Sequence, residues 1–208
     1  MKKLILIVGL TAALTSPAFA SVNLVTNGTF STPNYSGGWG DSASGVSGWY
    51  NNSDSIEIGA SSVYGLTAIS VDGQNLEVNA NASPSTVYQT LTGLTIGQSY
   101  LVSFDYGVRN NADASTVLTT TFGTGSVTNS TTLDVAGWTH TSFVGKALSQ
   151  TETLSFYGVT NPCGGTCGNE VTNVSVSAVP ETSTWAMMLA GFAGLGFIGW
   201  RGRKTVQA

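Results

Sequence analysis

The stretch Gln98–Arg109, which reads QSYLVSFDYGVR, decides the fold of this 208-residue chain. Apolar and other residues alternate along it, and one face carries Tyr100, Val102, Phe104, Tyr106 and Val108. The opposite face carries Leu101, Ser103, Asp105, Gly107 and Arg109. Alternation of this period is typical of a β-strand with one face in a hydrophobic core. We therefore predict a core strand here.

The same alternation recurs along the chain, interrupted by Gly, Asn and Pro. It predicts further strands at Asn23–Thr26, Ser55–Ile58, Asn75–Val78, Thr86–Leu91, Thr116–Phe122, Trp138–Val144, Thr153–Tyr157 and Val171–Ala178. In the last strand we expect one face to carry Val174, Val176 and Ala178. About nine strands separated by turn signals predict an all-β fold, a jelly-roll β-sandwich.

The segment Ser31–Ser55 departs from this pattern because it has little periodicity. A loop of that length is usually either functional or disordered. Its aromatic residues are too many for plain disorder: Tyr35, Trp39, Trp49 and Tyr50. We interpret the segment as a functional loop.

The N-terminus indicates export. Two lysines precede the apolar run Leu4–Leu14, and Ala18-Phe19-Ala20 supplies a small-residue cleavage site. This is the arrangement of a secretory signal peptide, so we predict cleavage after Ala20. The chain then divides into a signal peptide (residues 1–20), a β-sandwich domain (residues 21–178) and a C-terminal segment (residues 179–208).

The C-terminal segment begins VPETSTWAMMLAGFAGLGFIGWRGRK, from Val179 to Lys204. Pro180 and Glu181 come first, followed by an apolar run from Trp185 to Trp200 that would span roughly 24 Å as a helix. The basic residues of the end include Arg201 and Arg203. An ordinary C-terminal membrane anchor explains the run, since Trp suits both interfaces and basic residues suit the cytoplasmic side.

The order of these features also resembles the PEP-CTERM sorting signal of exopolysaccharide-producing Gram-negative bacteria. Thr182 stands where that family usually has Pro. The resemblance implies recognition by an exosortase, a membrane-embedded cysteine transpeptidase, and removal or exchange of the tail. We therefore expect transient anchoring in the inner membrane and then a location at the cell surface or in the extracellular matrix. Whether the tail is an ordinary anchor or a sorting signal, we expect the residues before Val179 to lie outside the cytoplasm.

The charge of the mature domain argues against nucleic acid as a partner. Residues 21–178 hold two basic and ten acidic side chains, a formal net charge of −8. Such a surface repels phosphate backbones. Ser, Thr, Asn and Gly abound instead, which indicates a surface of neutral hydrogen-bonding groups.

A series of short landmarks runs through the mature domain: Asn27-Gly28-Thr29-Phe30, Gly48-Trp49-Tyr50, Gln89-Thr90-Leu91, Gly97–Tyr106, Gly137-Trp138 and Val171–Ser177. Their order resembles the galactose-binding-like jelly-roll domains of exported proteins. The resemblance implies binding of cell-wall or matrix polysaccharides. The closing strand of that family usually carries Asp-Asn-Val, to which a structural Ca²⁺ site could belong, whereas this chain has Thr172-Asn173-Val174. The missing carboxylate leaves Ca²⁺ unsupported, and we expect no cofactor.

Four residues are candidates for glycan binding: Trp39, Trp49, Tyr50 and Arg109. Aromatic rings stack on the C–H faces of sugars, and a guanidinium donates forked hydrogen bonds to hydroxyls or a carboxylate. The alternative for the tryptophans is a place in the hydrophobic core, and for a further tryptophan, Trp138, we favour the core. The alternative for Arg109 is a salt bridge with Asp105. We hypothesise that Ser31–Ser55 and Arg109 lie at one binding surface.

Catalytic and metal chemistry have weaker signals. His140 is the only histidine, and zinc needs several His or Cys ligands. We predict a disulfide between Cys163 and Cys167, because exported chains meet an oxidising compartment; a redox pair would need C-x-x-C beside a helix. A glycoside hydrolase needs two carboxylates across a cleft, and the candidates are Glu57, Glu77, Asp105, Glu152 and Glu170.

Together these features predict an exported, non-catalytic polysaccharide-binding module of the cell surface or matrix. The alternatives are a structural matrix protein without a specific glycan site and, with less support, a glycoside hydrolase.

Overall fold

The computed structural model describes residues 22–35, 37–43, 46–52, 55–81, 84–109, 117–130, 137–159, 168–180 and 188–197. In these residues, eleven β-strands form two antiparallel sheets that enclose one hydrophobic core. The predicted all-β sandwich is thereby confirmed.

One sheet has six strands, in the spatial order β1 (Trp39–Ser42), β3 (Ile56–Ala60), β4 (Gln74–Val78), β11 (Asn169–Ala178), β6 (Ser99–Val108) and β9 (Trp138–Lys146). The other has five, in the order β2 (Tyr50–Asn51), β5 (Ser85–Thr92), β10 (Thr151–Gly158), β7 (Val117–Phe122) and β8 (Gly125–Ser130). A 3₁₀ helix, Ser61–Tyr64, follows β3.

Strand β6 is the core strand that the alternation predicts. Its inward side chains are all buried, and β6 pairs with β11 on one side and β9 on the other. The alternation of apolar residues therefore predicted both the strand and the side of it that faces the core.

The edges of the two sheets meet at β8 and β9, where Asn129 Nδ2 donates a hydrogen bond to Thr141 Oγ1 at 2.7 Å.

Several strands differ from the prediction. The segment Ser31–Ser55 contains two short edge strands, β1 and β2, and β8 was not expected. Conversely, Asn23–Thr26 is not a strand. A side chain links this segment to β11 instead, because Asn23 Oδ1 accepts hydrogen bonds from Val25 N and from Val176 N.

The closing strand β11 contains an irregularity that alternation did not predict. Its register with β6 shifts between Thr172 and Ser175, and Asn173 has a φ of 53°. Val171 and Val174 are therefore both buried although they are an odd number of residues apart. Val176 is buried as predicted, whereas Ala178 is exposed at the strand end.

Trp49 lies at the centre of the core and is fully buried. Its ring centroid is 5.3 Å from that of Phe30 and 5.8 Å from that of Phe156. The indole Nε1 donates to the carbonyl oxygens of Thr26 and Asn27, at 3.1 and 3.3 Å. Trp49 thus ties the N-terminal segment to the five-stranded sheet, since Phe156 lies on β10.

Several predicted features lie outside the described residues: Ala20, Cys163, Cys167, Glu181, Trp185, Arg201 and Arg203. Pro180 is described and exposed, and residues 188–197 of the tail are helical. Within the described part of the chain, no helix has both the length and the hydropathy needed to cross a membrane. The signal peptide, the sorting helix and the disulfide stay predictions.

We expect Trp49→Ala to lower the free energy of unfolding by about 3–5 kcal/mol, because truncating a buried Trp removes contacts and leaves a cavity. Urea unfolding measures this loss. Trp39→Ala is the matched control, since the Trp39 side chain is 54% exposed. Equal losses in the two variants would contradict the assignment of Trp49 as the core tryptophan.

Candidate functional site

The outward surface of the five-stranded sheet has an unusual composition. Side chains of its strands alternate between the core and solvent. The outward ones, which we name the tyrosine face, are Tyr50, Thr86, Tyr88, Thr90, Thr92, Val117, Thr119, Thr121, Ser126, Thr128, Ser130, Thr151, Thr153, Ser155 and Tyr157. None of these side chains carries a charge. The face consists of hydroxyls, three aromatic rings and one valine.

Three tyrosines lie on neighbouring strands of this face. Tyr50 is opposite Tyr88 in the register of β2 and β5, and their ring centroids are 5.9 Å apart. Tyr157 on β10 is opposite Thr86, one row further along the sheet. Tyr50 and Tyr157 are 51% and 40% exposed. Both rings can therefore be reached from solvent.

Hydroxyl groups surround the tyrosines. Thr121 Oγ1 and Ser155 Oγ are 2.7 Å apart, and Thr119 Oγ1 and Thr128 Oγ1 are 3.0 Å apart. A hydroxyl offers one donor and two acceptor positions. Each paired hydroxyl therefore keeps capacity for a further hydrogen bond to a ligand.

The buried Trp49 determines where Tyr50 points. Successive side chains of a strand point to opposite faces. Because Trp49 is inside the core, Tyr50 must face outward. Asn52 fixes the edge strand further, since its Oδ1 accepts a hydrogen bond from Thr86 N at 2.9 Å.

The four residues predicted for glycan binding do not form one site. Trp49 cannot stack on a sugar because its ring is fully buried, so that prediction is corrected. Tyr50 belongs to the tyrosine face, whereas Trp39 lies on β1 of the other sheet and Arg109 directly follows β6. The hypothesis of one surface shared by the segment Ser31–Ser55 and Arg109 does not hold for Tyr50.

Arg109 pairs with Glu77 instead of Asp105. Its Nη1 lies 3.1 and 3.3 Å from the two carboxylate oxygens of Glu77, and its guanidinium carbon is 5.2 Å from the centroid of the Tyr64 ring. A buried carboxylate needs a cation more than an accessible one does, and Glu77 is buried. Asp105 accepts a hydrogen bond from Asn173 Nδ2 and lies 2.8 Å from His140 Nδ1.

Three glutamates form a buried row on the six-stranded sheet. Glu57, Glu77 and Glu170 are cross-strand neighbours on β3, β4 and β11. Tyr64 Oη donates to Glu57 Oε1 at 2.9 Å, and Asn75 Nδ2 donates to Glu170 Oε2. These hydrogen bonds stabilise carboxyl groups that would otherwise be costly to bury.

Residues 61–73 cover this part of the six-stranded sheet. The indole Nε1 of Trp138 donates to Thr67 O at 2.6 Å. A Cβ on Gly107 would lie 3.0 Å from Leu66 Cδ1 and 3.3 Å from Trp138 Cε3, so both side chains pack against this glycine. Trp138 therefore packs on the outer surface of the sheet and is half-buried, and its predicted place in the core is corrected.

Burial raises the pKa of two of the glutamates. For Glu57 burial is the largest cause and repulsion from Glu77 the second, and together they raise the pKa to about 7. Burial and the same neighbour hold the pKa of Glu170 well above its ordinary value. A glycoside hydrolase needs carboxyls that reach the scissile bond, and these groups are enclosed in the fold.

The described residues contain no group of three or more His, Cys, Asp or Glu side chains that could hold a metal ion. Thr172, which replaces the Asp of the resembled closing strand, donates through Oγ1 to the carbonyl oxygen of Gln74 at 2.9 Å. Its side chain therefore has a structural role.

Sequence analysis missed Tyr88 and Tyr157 as candidates. Both lie in predicted strands, opposite in parity to the core residues Val87 and Phe156. Because alternate residues of a strand point to opposite faces, this position predicts that both tyrosines face outward. The concentration of aromatic residues in Ser31–Ser55 directed the prediction of a binding site to that segment instead.

Comparisons with known proteins identify the fold. No protein-family model and no curated protein matches this chain. Part of an arabinose-bound GH51 α-L-arabinofuranosidase is similar, with a TM-score of 0.56 and 12% identity over 78% of this chain and 27% of that chain. This likeness shows a shared jelly-roll sandwich and no more.

Other solved structures are similar at lower TM-scores. A protein described as CBM4 has a TM-score of 0.45 and 18% identity over 74% of this chain and 99% of that chain. The enzymatically active domain of bacteriophage CBA120 tailspike protein 4 has a TM-score of 0.47 and 14% identity over 76% of this chain. The chain spans only 21% of that tailspike chain. Carbohydrate-binding modules are thus among the structural neighbours.

The buried glutamates should make stability depend on pH. Where the folded state holds protons more tightly than the unfolded chain, stability falls as the pH rises. For Glu57 this interval runs from 4.5 to about 7. We expect the free energy of unfolding to fall over that interval, and Glu57→Gln to make the fall smaller.

Urea unfolding at a series of pH values measures this effect. Glu152→Gln is the control, because Glu152 lies on β10 of the other sheet and accepts hydrogen bonds from Leu148 N and Ser149 N. A pH profile of Glu57→Gln that coincides with the wild-type profile would contradict the expectation.

Proposed function

We propose that this chain is an exported, non-catalytic module that binds a neutral polysaccharide on its tyrosine face. The observation that carries the proposal is the combination of exposed tyrosine rings with an uncharged array of hydroxyls on one sheet. Sugars present the same two kinds of surface, C–H faces and hydroxyls.

Each component of the face has a role in this binding. The rings of Tyr50 and Tyr157 offer apolar faces that cover sugar C–H groups, and the phenol hydroxyls stay hydrogen-bonded at the rim. Thr and Ser hydroxyls exchange hydrogen bonds with water for hydrogen bonds with the ligand. Because the face has no charge, binding should change little with salt, and anionic polymers gain no attraction from it.

The site extends across several neighbouring strands, which determines the length of ligand that it favours. Neighbouring strands lie about 4.8 Å apart, so a chain that crosses β2, β5, β10 and β7 meets a new side chain at each step. Each contact is weak by itself. Affinity should therefore grow with the length of the oligosaccharide, and a monosaccharide should bind poorly.

The tyrosine face supports binding without catalysis. Hydrolysis of a glycosidic bond uses two carboxyl groups beside the bond. The outward side chains of this face include none. The buried glutamates lie on the opposite sheet.

The terminal segments suggest where binding takes place. The signal peptide at residues 1–20 and the tail that resembles a PEP-CTERM signal support export, handling by an exosortase at the inner membrane, and release to the cell surface or matrix. A neutral glycan of that matrix is the ligand class we propose. A structural matrix protein without a glycan site is the alternative, and the binding experiment below separates the two.

We expect Tyr50→Ala and Tyr88→Ala each to weaken binding by about 1 kcal/mol or more, roughly fivefold in Kd, as truncation of an aromatic anchor does. Calorimetry with neutral oligosaccharides derived from β-glucan, xylan and galactan measures this, at low and at high salt. Val144→Ala is the control, because Val144 is similarly exposed but lies on the six-stranded sheet. Wild-type affinity in both tyrosine variants would contradict the proposed site.

Processing of the two ends can be tested separately. We expect mass spectrometry of the exported protein to find Ser21 as the first residue, because cleavage should follow Ala20.

We expect the Glu181→Ala variant to accumulate unprocessed in the inner membrane, since the resemblance assigns recognition to Pro180-Glu181. Normal release of that variant would instead favour an ordinary C-terminal anchor.

A further inference from the structure

The six-stranded sheet carries an exposed aromatic residue of its own. Trp39, on the edge strand β1, has 54% of its surface exposed. A Cβ on the next residue, Gly40, would collide with the Tyr35 ring, which is packed against the core. Gly40 therefore faces inward, and Trp39 and Asp41 face outward. They point away from the tyrosine face, on the opposite side of the sandwich.

The backbone holds Trp39 firmly in place. Gly59 lies opposite it on β3, and a Cβ there would lie 2.7 Å from Trp39 Cβ and 2.7 Å from Tyr64 Oη. Gly59 thus leaves room for Trp39 on the sheet. Gly38 O also accepts a hydrogen bond from Ala60 N at 2.8 Å. The indole therefore stands on a paired strand and does not depend on a loop for its position.

Polar groups lie beside this ring. Asp41 follows two residues along the same face, roughly 6.7 Å away at the usual rise of a strand. Its Oδ1 accepts a hydrogen bond from Asn81 Nδ2 at 2.7 Å, and Asn81 Nδ2 also lies 2.7 Å from Ser55 Oγ. The amide of Asn81 thus orients the carboxylate. A carboxylate has about four acceptor positions, so Asp41 keeps capacity to accept from ligand hydroxyls.

The charge of this patch selects the ligand. Asp41 is exposed on β1, opposite the buried Glu57 of β3. Uronic acids and sulfated sugars would be repelled by the Asp41 carboxylate. A neutral pyranose, with a C–H face for Trp39 and neighbouring hydroxyls for Asp41, fits both elements of the patch.

We propose that Trp39, Asp41 and Asn81 form a second site for a neutral sugar, so that one molecule binds two polysaccharide chains and links them. The inference rests on the proposed function for the class of ligand. The two sheets are stacked about 10 Å apart with their binding residues pointing outward, so one chain does not lie flat on both faces. Two linked sites on one module convert weak binding into cross-linking of a polymer network.

The test uses the exported mature protein and the neutral polysaccharide, among a soluble β-glucan, a xylan and a galactan, that it binds most tightly. Calorimetry with short oligosaccharides of that polymer gives the number of sites, and light scattering with the intact polymer gives cross-linking. We expect two sites and cross-linking in the wild type. Trp39→Ala should leave one site, abolish cross-linking and keep the melting temperature within a few degrees of wild type.

Two further variants sharpen the test. Trp39→Phe keeps an aromatic platform and should retain cross-linking, whereas Asp41→Asn should weaken the second site severalfold through loss of charge-assisted hydrogen bonds. One site in the wild type, or normal cross-linking by Trp39→Ala, overturns the inference and leaves the tyrosine face intact as a site. Wild-type binding in the Tyr50 and Tyr88 variants, with loss in Trp39→Ala, overturns the tyrosine face instead. No binding to any of the polymers overturns both.

Discussion

The burial of Trp49 is the constraint on which the rest of the molecule depends. Its indole fills the core between Phe30 and Phe156 and donates to backbone carbonyls of the N-terminal segment. A two-residue strand such as β2 has few hydrogen bonds of its own, and the buried ring supplies its position. Once Trp49 points inward, Tyr50 must point outward beside Tyr88. The tyrosine face is therefore a consequence of core packing.

The two sheets present different chemistry to their surroundings. The outward face of the five-stranded sheet is neutral, whereas the six-stranded sheet carries Glu57, Glu77, Glu170 and Asp105. Arg109, Tyr64 and Asn75 stabilise the buried glutamates through hydrogen bonds. These carboxyl groups therefore lie on the sheet opposite the tyrosine face, whose own outward side chains are neutral.

Much of the fold could be predicted from sequence because alternation reports directly on burial. Strand β6 shows this, since each of its predicted inward residues is buried. The irregularity at Asn173 could not be read in this way, because an extra residue reverses the parity of everything beyond it. Arg109 shows a second limit, since its partner Glu77 is distant in sequence and only the sheet register brings them together. Tyr50 was named as a candidate from its sequence neighbourhood, but its association with Tyr88 and Tyr157 required the strand order.

The central claim, that the tyrosine face is the principal ligand surface, can be tested most directly by nuclear magnetic resonance. The exported protein, labelled at its tyrosine rings and threonine methyl groups, would be titrated with a neutral oligosaccharide. The account predicts that signals of Tyr50, Tyr88, Tyr157 and Thr121 shift together with one saturation curve. Unchanged tyrosine signals at a concentration where the sugar shifts other residues would contradict it.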